Sequence, residues 1–492
     1  MNKTKFFGAA ALAALTAATA VGATVPDKNL ERALRSVDAC EIYALTRTMV
    51  SAEFAGRLTG DEGYTRAARW AASKFKEWGL QPASAKDGYL QAYPSPYTLV
   101  DKAEMTLLIS EGKSGSGQPA SFKETPLVSD KDFLPLLYTD SGRNEAGLVF
   151  AGWGICAPDL GYDDYAGVDV RGKYVLCFRG VPDRAERRFE DHDQHRTRMA
   201  AAQAKGALGV IYIYPEVSAN PNGDWIQGFT PAEISEKIAD LIFKEKGLTS
   251  AEVTRTLTSL KRPVSFPVAA RVRYSVESRH FPEGVGYNVI GVIEGSDPIL
   301  KKECLIFGAH YDHCGRHMGV TYPGADDNAT GSAAVMAIAK ALVGMNPKPK
   351  RSIVCVLFGG EELGLQGSHF MADHVPPRFT RVAAMFNFDM VGEGDGAWCG
   401  VSGEPAAFKQ VIEEADRETK LLKGVGVIRG VGVRSSDFAP FFLKGIPCAS
   451  LGSNGPHLAY HQAGDTIYRI NPEIMADIVK LAIRAGYAWG QK

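Results

Sequence analysis

Short apolar runs alternate with longer helical stretches through the second half of the sequence. The apolar runs have the length of buried strands and lie at residues 287–293, 304–309, 353–358, 383–388 and 447–451. The stretches that follow them are helical by pattern and lie at residues 329–343, 363–374, 405–418 and 471–489. Alternating strands and helices are typical of a doubly wound, mostly parallel sheet flanked by helices on both faces. The pattern therefore predicts an α/β fold.

The first half of the chain has a different pattern. Residues 29–79 are predicted to be largely helical, because Ala67, Trp70 and Phe75 fall on one face of a helix. From about residue 101, strand-like runs alternate with turn signals and one Ala-rich helix, at residues 199–205. This texture predicts a smaller, separate α+β unit inserted at residues 105–262, which is an ordinary domain size.

The chain has 492 residues, which is too long for one ordinary core and favours two domains. A formal net charge of −1 gives no basic excess that would indicate nucleic-acid binding. The eight cysteines are scattered without a CxxC pair, which argues against a structural zinc site or a disulfide-dense scaffold. Whether any cysteines pair is left open.

The N-terminus has the features of a signal peptide. Lys3 and Lys5 precede the apolar stretch Phe6–Ala20, and Val21-Gly22-Ala23 offers a small-residue cleavage site. The stretch is short for a bilayer crossing, which needs roughly 20 apolar residues. We expect cleavage after residue 23 and an exported protein, periplasmic or secreted, with no membrane span after cleavage. The alternative is an uncleaved anchor helix.

The candidate chemistry lies where the predicted strands end, and parallel strands bring such ends to one edge of a sheet. Carboxylates gathered there would repel one another, and divalent cations would remove that cost. Histidine and carboxylate ligands together favour zinc, with cobalt or manganese as possible substitutes. The side chains concerned are His310, Asp312, Asp326, Asp327, Glu361, Glu362, Asp389 and His461.

Each of these residues also has an ordinary explanation. Asp326 or Asp327 could cap the following helix, and Glu361-Glu362 could be a charge pair at a helix start. Adjacent side chains diverge, however, so one glutamate can bind metal while its neighbour faces the attacking water. Asp312 is two residues beyond His310 and points the same way along a strand, so it can orient the imidazole.

Each ordinary explanation is plausible for its own residue. The presence of all these residues at one edge of the sheet nevertheless favours a metal site. Other histidines could line this site, although each is more often not a ligand: His313, His317 and His457. The sequence contains no GxSxG elbow and no P-loop, which removes the usual serine-hydrolase and nucleotide-binding interpretations.

The spaced motifs resemble the co-catalytic zinc aminopeptidase family, which includes bacterial leucine aminopeptidases and glutamate carboxypeptidase. The EFAGRLTG segment near the N-terminus is similar to the bacterial members, and the middle of the chain is similar to a protease-associated domain. The motifs that carry the resemblance are His310-Tyr-Asp312, Gly324-Ala-Asp-Asp327-Asn-Ala-Thr-Gly331, Gly359-Gly-Glu361-Glu362-Leu-Gly, Asn387-Phe-Asp389 and Tyr460-His461.

The resemblance implies a zinc-exopeptidase fold and a role for each motif residue. Asp327 would bridge two zinc ions, His310 and Asp389 would complete one zinc, and Glu362 and His461 the other. Glu361 would be the general base, Asp312 would orient His310, and Tyr460 would stabilise the tetrahedral intermediate. The implied division is a signal peptide at 1–23, peptidase domain at 24–104 and 263–492, and an inserted protease-associated domain at 105–262. Cys314 and Phe438 depart from the usual motif residues.

The expected function is that of a metallo-aminopeptidase that removes N-terminal residues from peptides. A carboxypeptidase or dipeptidase could use the same dinuclear site. A peptidase-like binding protein would have lost ligands that this chain keeps, and a glutaminyl-cyclase-like transferase would carry a single zinc without the inserted unit. The sequence leaves the preferred residue and the oligomeric state open.

Overall fold

The computed structural model describes residues 27–111, 121–184, 188–402, 405–419, 425–428 and 435–492. The expected signal peptide, residues 1–23, lies outside the described residues. The helices in the described part are α1 (Lys28–Arg35), α2 (Ala39–Met49), α3 (Glu62–Glu77), α4 (His195–Ala204), α5 (Glu236–Phe243), α6 (Ser250–Leu260), α7 (Gly331–Val343), α8 (Gln366–Asp373), α9 (Ala406–Thr419), α10 (Ala439–Leu443) and α11 (Pro472–Gly490).

The strands of the described residues belong to two large sheets and two small hairpins. They are β1 (Gln81–Pro82), β2 (Leu90–Pro94), β3 (Tyr97–Ser110), β4 (Phe122–Pro126), β5 (Phe133–Pro135), β6 (Gly142–Ala151), β7 (Cys156–Ala157), β8 (Tyr162–Asp163), β9 (Tyr174–Phe178), β10 (Gly209–Tyr214), β11 (Ala232–Ser235), β12 (Ser265–Phe281), β13 (Val285–Ile293), β14 (Glu303–His310), β15 (Gly315–His317), β16 (Val320–Tyr322), β17 (Ser352–Phe358), β18 (Arg381–Phe388), β19 (Ala397–Ser402), β20 (Val425–Ile428) and β21 (Cys448–Ser453).

The first sheet is built around four parallel strands. Its order is β1–β13–β17–β14–β18–β21–β19–β20, with β2 also pairing with β13. The central strands β17, β14, β18 and β21 run parallel, and antiparallel pairs extend the sheet on both sides. Parallel strands covered on both faces are apolar throughout, and every residue of β17 is buried. The predicted α/β fold is confirmed.

Helices cover both faces of the first sheet, because successive side chains of a strand point to opposite sides. Leu305 and Phe307 of β14 belong to a core shared with α2, α3, α7 and α11. Cys304 and Ile306 of the same strand belong to a second core, shared with α8 and α10. Helix α11 begins where Asn471 accepts a hydrogen bond from the backbone N–H of Glu473, with a proline at the first helical position.

The second sheet has the order β4–β3–β12–β6–β9–β10–β11–β5. Its strands run from Tyr97 to Phe281 in the sequence, so they include the expected unit at residues 105–262 and extend beyond it on both sides. Buried apolar side chains form a separate core on each face of this sheet. A long connection between β10 and β11, here called the 215–231 loop, leads from the second sheet towards the first.

Helix boundaries differ from the predicted ones where the backbone turns. Residues 29–79 form three helices, because Asp38 caps a new helix within the first part of this stretch. The stretch predicted to be helical from residue 363 begins only at Gln366, because Gly364 and Leu365 have φ angles of 100° and 61°. Left-handed residues of this kind cannot continue an α-helix.

All eight cysteines are free. Cys40 is exposed, Cys156 is partly exposed, and the other six are buried. The fold is therefore held together without disulfide bonds. Among the described residues, no helix combines the length and the apolar character that crossing a membrane requires.

Candidate metal centre

The carboxyl ends of the central parallel strands bring the expected ligands to one edge of the first sheet. His310 ends β14, Asp389 directly follows β18, and Glu362 lies in the turn after β17. Asp327 lies in a helical turn at Ala325–Thr330 that leads into α7, and His461 follows β21. Open α/β sheets bind their ligands at this edge.

Asp327 lies between two histidines. Its Oδ1 is 3.3 Å from Nε2 of His310, and its Oδ2 is 3.2 Å from Nε2 of His461. Asp389 Oδ1 lies 3.5 Å from the same nitrogen of His310. Glu362 Oε2 lies 3.0 Å from the same nitrogen of His461. The five side chains therefore form two donor groups, one on each side of a shared carboxylate.

The side chains of the two donor groups are placed to bind divalent cations and not to satisfy one another by hydrogen bonds. Nε2 of His461 is buried and has no hydrogen-bond partner among the described residues, although two carboxylate oxygens lie within 3.2 Å. Buried polar atoms are normally satisfied. An imidazole nitrogen and carboxylate oxygens that converge without hydrogen bonds are the donor set that zinc binds. The residues present therefore fit the metal that the sequence predicts.

The adjacent Glu361 and Glu362 have pKa values that are shifted in opposite directions. Burial raises the pKa of Glu361 well above its ordinary value, and the neighbouring carboxylate of Glu362 adds to this. Burial also acts to raise the pKa of Glu362, but His461 and a hydrogen bond with His313 bring it down to about 2. The two environments thus make Glu361 the more basic of the two carboxyl groups and hold Glu362 in its charged form.

Asp327 is likewise held in its charged form. Burial acts to raise its pKa, but the neighbouring imidazoles of His310 and His461 hold the pKa well below the ordinary value. A charged carboxylate between two imidazoles can bind a cation on each side.

Asp312 joins the loop of the two glutamates to the strand of His310. Its Oδ1 accepts a hydrogen bond from the backbone N–H of Glu361 at 3.3 Å, and its Oδ2 accepts one from that of Glu362 at 3.3 Å. Nδ1 of His310 lies 3.3 Å from the carbonyl oxygen of Asp312 and 3.7 Å from its Oδ1. The expected contact with His310 is thus made mainly by the backbone of Asp312, and its carboxylate positions the glutamates.

His313 is closer to the site than its sequence context indicates. Its Nδ1 lies 2.8 Å from Oε1 of Glu362, and its Nε2 is buried without a hydrogen-bond partner among the described residues. A ligand atom of Cys314 lies within 4.8 Å of those of His313, Glu362 and His461. His317 instead lies between backbone groups of Val100 and Cys314, which indicates a structural role.

Arg57, from the EFAGRLTG segment, is a supporting residue that the sequence analysis missed. Its buried guanidinium donates hydrogen bonds to the carbonyl oxygens of Tyr311 at 2.6 Å, Pro323 at 2.7 Å and Gly324 at 2.8 Å. A fourth bond, of 2.8 Å, reaches Met49. Burial lowers the pKa of Arg57 to about 10. Arg57 therefore fixes both ends of the loop between His310 and Asp327.

Asp465 is a second supporting residue without an obvious sequence signal, apart from its place in the motif segment around His461. Its carboxylate accepts hydrogen bonds from the backbone N–H groups of Asp326 at 2.9 Å and Asp327 at 3.0 Å. Gly324 precedes this turn with a φ of 59°, and a Cβ there would lie 2.3 Å from the carbonyl oxygen of Asp327. The turn is thus tightly constrained on both sides.

Asp326 serves the surrounding loops and does not face the two donor groups. It accepts a hydrogen bond from the backbone N–H of Gly392 at 2.8 Å and contacts Nδ1 of His457. Tyr460 stacks on His461 with ring centroids 3.9 Å apart, and its side chain is half exposed. The tyrosine therefore lies beside the candidate metal centre, with about half of its surface accessible to solvent.

Part of the chain is similar to known peptidases. Residues 288–485 match the family model described as Peptidase family M28. The chain is 32% identical over 342 residues to an aminopeptidase from Pseudomonas aeruginosa, which covers 65% of this chain and 56% of that protein. It is 25% identical over 354 residues to aminopeptidase YwaD from Bacillus subtilis (strain 168), which covers 68% of this chain and 67% of that protein. The chain thus spans between about half and two thirds of the length of these curated relatives.

A solved structure shares the fold along nearly the whole chain. The Peptidase M28 precursor from Shewanella amazonensis SB2B superposes with a TM-score of 0.65 at 21% identity. The similarity covers 94% of this chain and 96% of that chain. Both sheets of the present chain therefore fall within a known architecture.

Proposed function

We propose that the chain is a zinc-dependent aminopeptidase that hydrolyses N-terminal residues from peptides, and the match of residues 288–485 to the model of Peptidase family M28 supports this proposal. The position of Asp327 carries the proposal, since its two oxygens lie 3.3 and 3.2 Å from Nε2 of two different histidines. A carboxylate placed in this way is suited to bridge two metal ions. The relatives named aminopeptidases support the choice of reaction.

We assign the ligands by their place around Asp327. His310 and Asp389 would hold one zinc ion, and Glu362 and His461 would hold the other, with Asp327 shared. His310 Nε2 and Asp389 Oδ1 are 3.5 Å apart, and His461 Nε2 and Glu362 Oε2 are 3.0 Å apart, so each pair is already gathered. The donor set is the nitrogen and oxygen set that zinc prefers.

When bound, zinc supplies Lewis acidity and lowers the pKa of water towards neutrality. Glu361 then takes the proton of the attacking water and returns it to the leaving amine, as a general base and acid. The carboxylate of Asp312 holds Glu361 in place by accepting a hydrogen bond from the backbone N–H of Glu361. The hydroxyl of Tyr460 is assigned to the oxyanion of the tetrahedral intermediate.

The aminopeptidase assignment rests on the named relatives, and the carboxylates of the site are compatible with it. These carboxylates suit a free, positively charged substrate amine better than a carboxylate terminus, because like charges in a buried site repel. The protein is further proposed to be exported, periplasmic or secreted, on the basis of Lys3, Lys5 and the apolar stretch Phe6–Ala20.

The proposal is tested with amino-acid p-nitroanilides, N-terminally blocked peptides and peptides with a blocked C-terminus. An aminopeptidase cleaves the anilides and the C-terminally blocked peptides, loses activity with a chelator and regains it with zinc. Cleavage of N-terminally blocked peptides with a free C-terminus would indicate a carboxypeptidase and contradict the proposal. Metal analysis of the purified protein should give two zinc ions per chain.

A further inference from the structure

The 215–231 loop of the second sheet reaches the candidate metal centre. The backbone N–H of Ala219 donates a hydrogen bond of 2.8 Å to the carbonyl oxygen of His461. The carbonyl oxygen of Ala219 lies 2.7 Å from Nδ1 of His461 and accepts its hydrogen. Ala219 is fully buried. Ala219 of the 215–231 loop thus forms hydrogen bonds with both the ring and the backbone of His461, an assigned ligand.

The contact with the imidazole sets its tautomer. A carbonyl oxygen can only accept a hydrogen bond, so Nδ1 of His461 must carry the proton. In the neutral imidazole Nε2 then keeps its lone pair, and Nε2 is the atom that faces Glu362 and Asp327. Partners of this kind hold the ring orientation and the basicity of a metal-binding histidine.

The 215–231 loop is held in place by a buried acid. Oε1 of Glu233, on β11, accepts a hydrogen bond from the backbone N–H of Ser218, the residue before Ala219. Glu233 is fully buried, and its Oε2 has no hydrogen-bond partner within the described part of the chain. Burial raises the pKa of Glu233 to about 8. The presence of an acid at this buried position indicates that Glu233 positions the backbone of Ser218, next to Ala219.

Further hydrogen bonds hold the 215–231 loop on the C-terminal side of Ala219. The carbonyl oxygen of Asn220 accepts a hydrogen bond of 2.9 Å from the backbone N–H of Leu137. Arg196 of α4 lies 2.6 Å from Oδ1 of Asn222 and donates a hydrogen bond of 3.0 Å to the carbonyl oxygen of Leu363, which follows Glu362. The second sheet thus contacts the segments of both Glu362 and His461.

We propose that Glu233 is a positioning residue for the metal centre, which acts through Ser218 to hold the carbonyl of Ala219 on Nδ1 of His461. The second sheet is therefore part of the metal centre's support, and not only an appended unit. This inference rests on the proposed function, because it takes His461 to be a zinc ligand.

The test compares zinc binding by the full-length protein and three variants, in the absence of substrate. Glu233→Ala removes the acceptor for Ser218, so we expect one of the two zinc affinities to fall roughly 10- to 100-fold. Glu233→Gln keeps an acceptor oxygen and should stay close to the unchanged protein. Asp164→Ala removes another buried acid near the second sheet that does not contact the 215–231 loop. It should leave zinc affinity unchanged.

Competition with a chromophoric chelator gives the affinities, and the visible spectrum of the cobalt-substituted protein reports changes in the ligand field. Circular dichroism shows whether each variant is folded. Unchanged affinity in Glu233→Ala overturns the proposal, as does an equal loss in Glu233→Gln or in Asp164→Ala. If the unchanged protein binds zinc but cleaves no aminoacyl substrate, the proposed function fails, while the affinities still decide the role of Glu233.

Discussion

At the scale of single residues, the adjacent Glu361 and Glu362 have opposite electrostatic environments. Burial raises the pKa of Glu361, whereas His461 and His313 lower that of Glu362 to about 2. Neighbouring carboxyl groups whose pKa values are pushed apart are typical of an acid–base residue beside a charged partner. This difference supports Glu361 as the base and Glu362 as the ligand.

Changing Glu361 to Gln should therefore remove catalysis and leave zinc bound. We expect the turnover number to fall by a factor of about 100 to 10,000, which is the usual contribution of a general base. Metal analysis should still find the same zinc content as in the unchanged protein. A Glu361→Gln variant with full turnover would contradict the assignment of the base.

Arg57 is the second residue with a large expected effect, because its guanidinium satisfies four buried carbonyl oxygens. Arg57→Met should lower the free energy of unfolding by at least about 3 kcal/mol, since each buried acceptor left unsatisfied costs about 1–3 kcal/mol. Urea unfolding measures the change. The control is Arg69→Met at an exposed position of α3, which should change stability by no more than about 0.5 kcal/mol. Similar values for the two variants would refute this role.

At the scale of elements, the turn at Ala325–Thr330 presents Asp327 because its backbone is held from outside. The two carboxylate oxygens of Asp465 accept the N–H groups of Asp326 and Asp327. Arg57 holds the carbonyl of Gly324 at the start of the same turn. The turn is thus a rigid support built from three distant parts of the sequence.

Changing Asp465 to Asn should loosen this turn, because an amide has only one acceptor oxygen for two backbone N–H groups. We expect zinc affinity to fall by at least about tenfold, as for other residues that position metal ligands. The control is Asp477→Asn on α11, whose acid forms an ion pair with Lys480. Equal zinc affinity in Asp465→Asn and the unchanged protein would count against the proposed support.

The segment between β6 and β9 gives a prediction for pH dependence. Asp164 accepts hydrogen bonds from the backbone N–H groups of Trp153 and Ile155, and burial raises its pKa to about 7. The folded state then holds this proton more tightly than the unfolded chain. The resulting stability is complete below about pH 4 and is lost as the pH rises through about 7.

Asp164→Asn removes this titration. The free energy of unfolding, measured with urea at several pH values, should fall less between about pH 4 and pH 7 in the variant than in the unchanged protein. Because all other groups are shared, the difference between the two curves isolates Asp164. Parallel curves would show that its pKa is not raised.

At the scale of the whole molecule, zinc binding should stabilise the fold, because its ligands come from separate segments between His310 and His461. Zinc that binds only the folded chain adds about 4 kcal/mol per site when it is present at about 1,000 times its dissociation constant. We expect the melting temperature to fall by several degrees with a chelator and to recover with zinc. His461→Ala should show a smaller shift, and an equal shift would place the zinc elsewhere.

Much of the fold could be predicted from the sequence because parallel strands carry a local signal. The run predicted at 304–309 is β14, Glu303–His310, and His310 lies at its end as expected. The five expected ligands also meet, because strand order alone brings strand ends together. Their assigned roles remain predictions for the metal analyses above.

The supporting residues could not be predicted, because they act across long separations in the sequence. Arg57 contacts Gly324, and Ala219 contacts His461, and no local pattern relates either pair. The carboxylate of Asp312 was expected beside His310 from the period of a strand, and its Oδ1 lies 3.7 Å from Nδ1 of that ring. Its hydrogen bond with the backbone N–H of Glu361, 49 residues away in the sequence, had no local signal. Tertiary contacts therefore decide these positions.

The pairing of Ala219 with His461 limits how this protein can be recombined with its relatives. A chimaera that takes its second sheet from one of these relatives would also take from it the carbonyl that accepts the hydrogen bond of His461. Such a transplant should succeed only where the donor's loop places a carbonyl oxygen within hydrogen-bond distance of Nδ1 of that histidine. Crossover points chosen to keep the 215–231 loop with the recipient should give working hybrids more often than cuts at the sheet's outer ends.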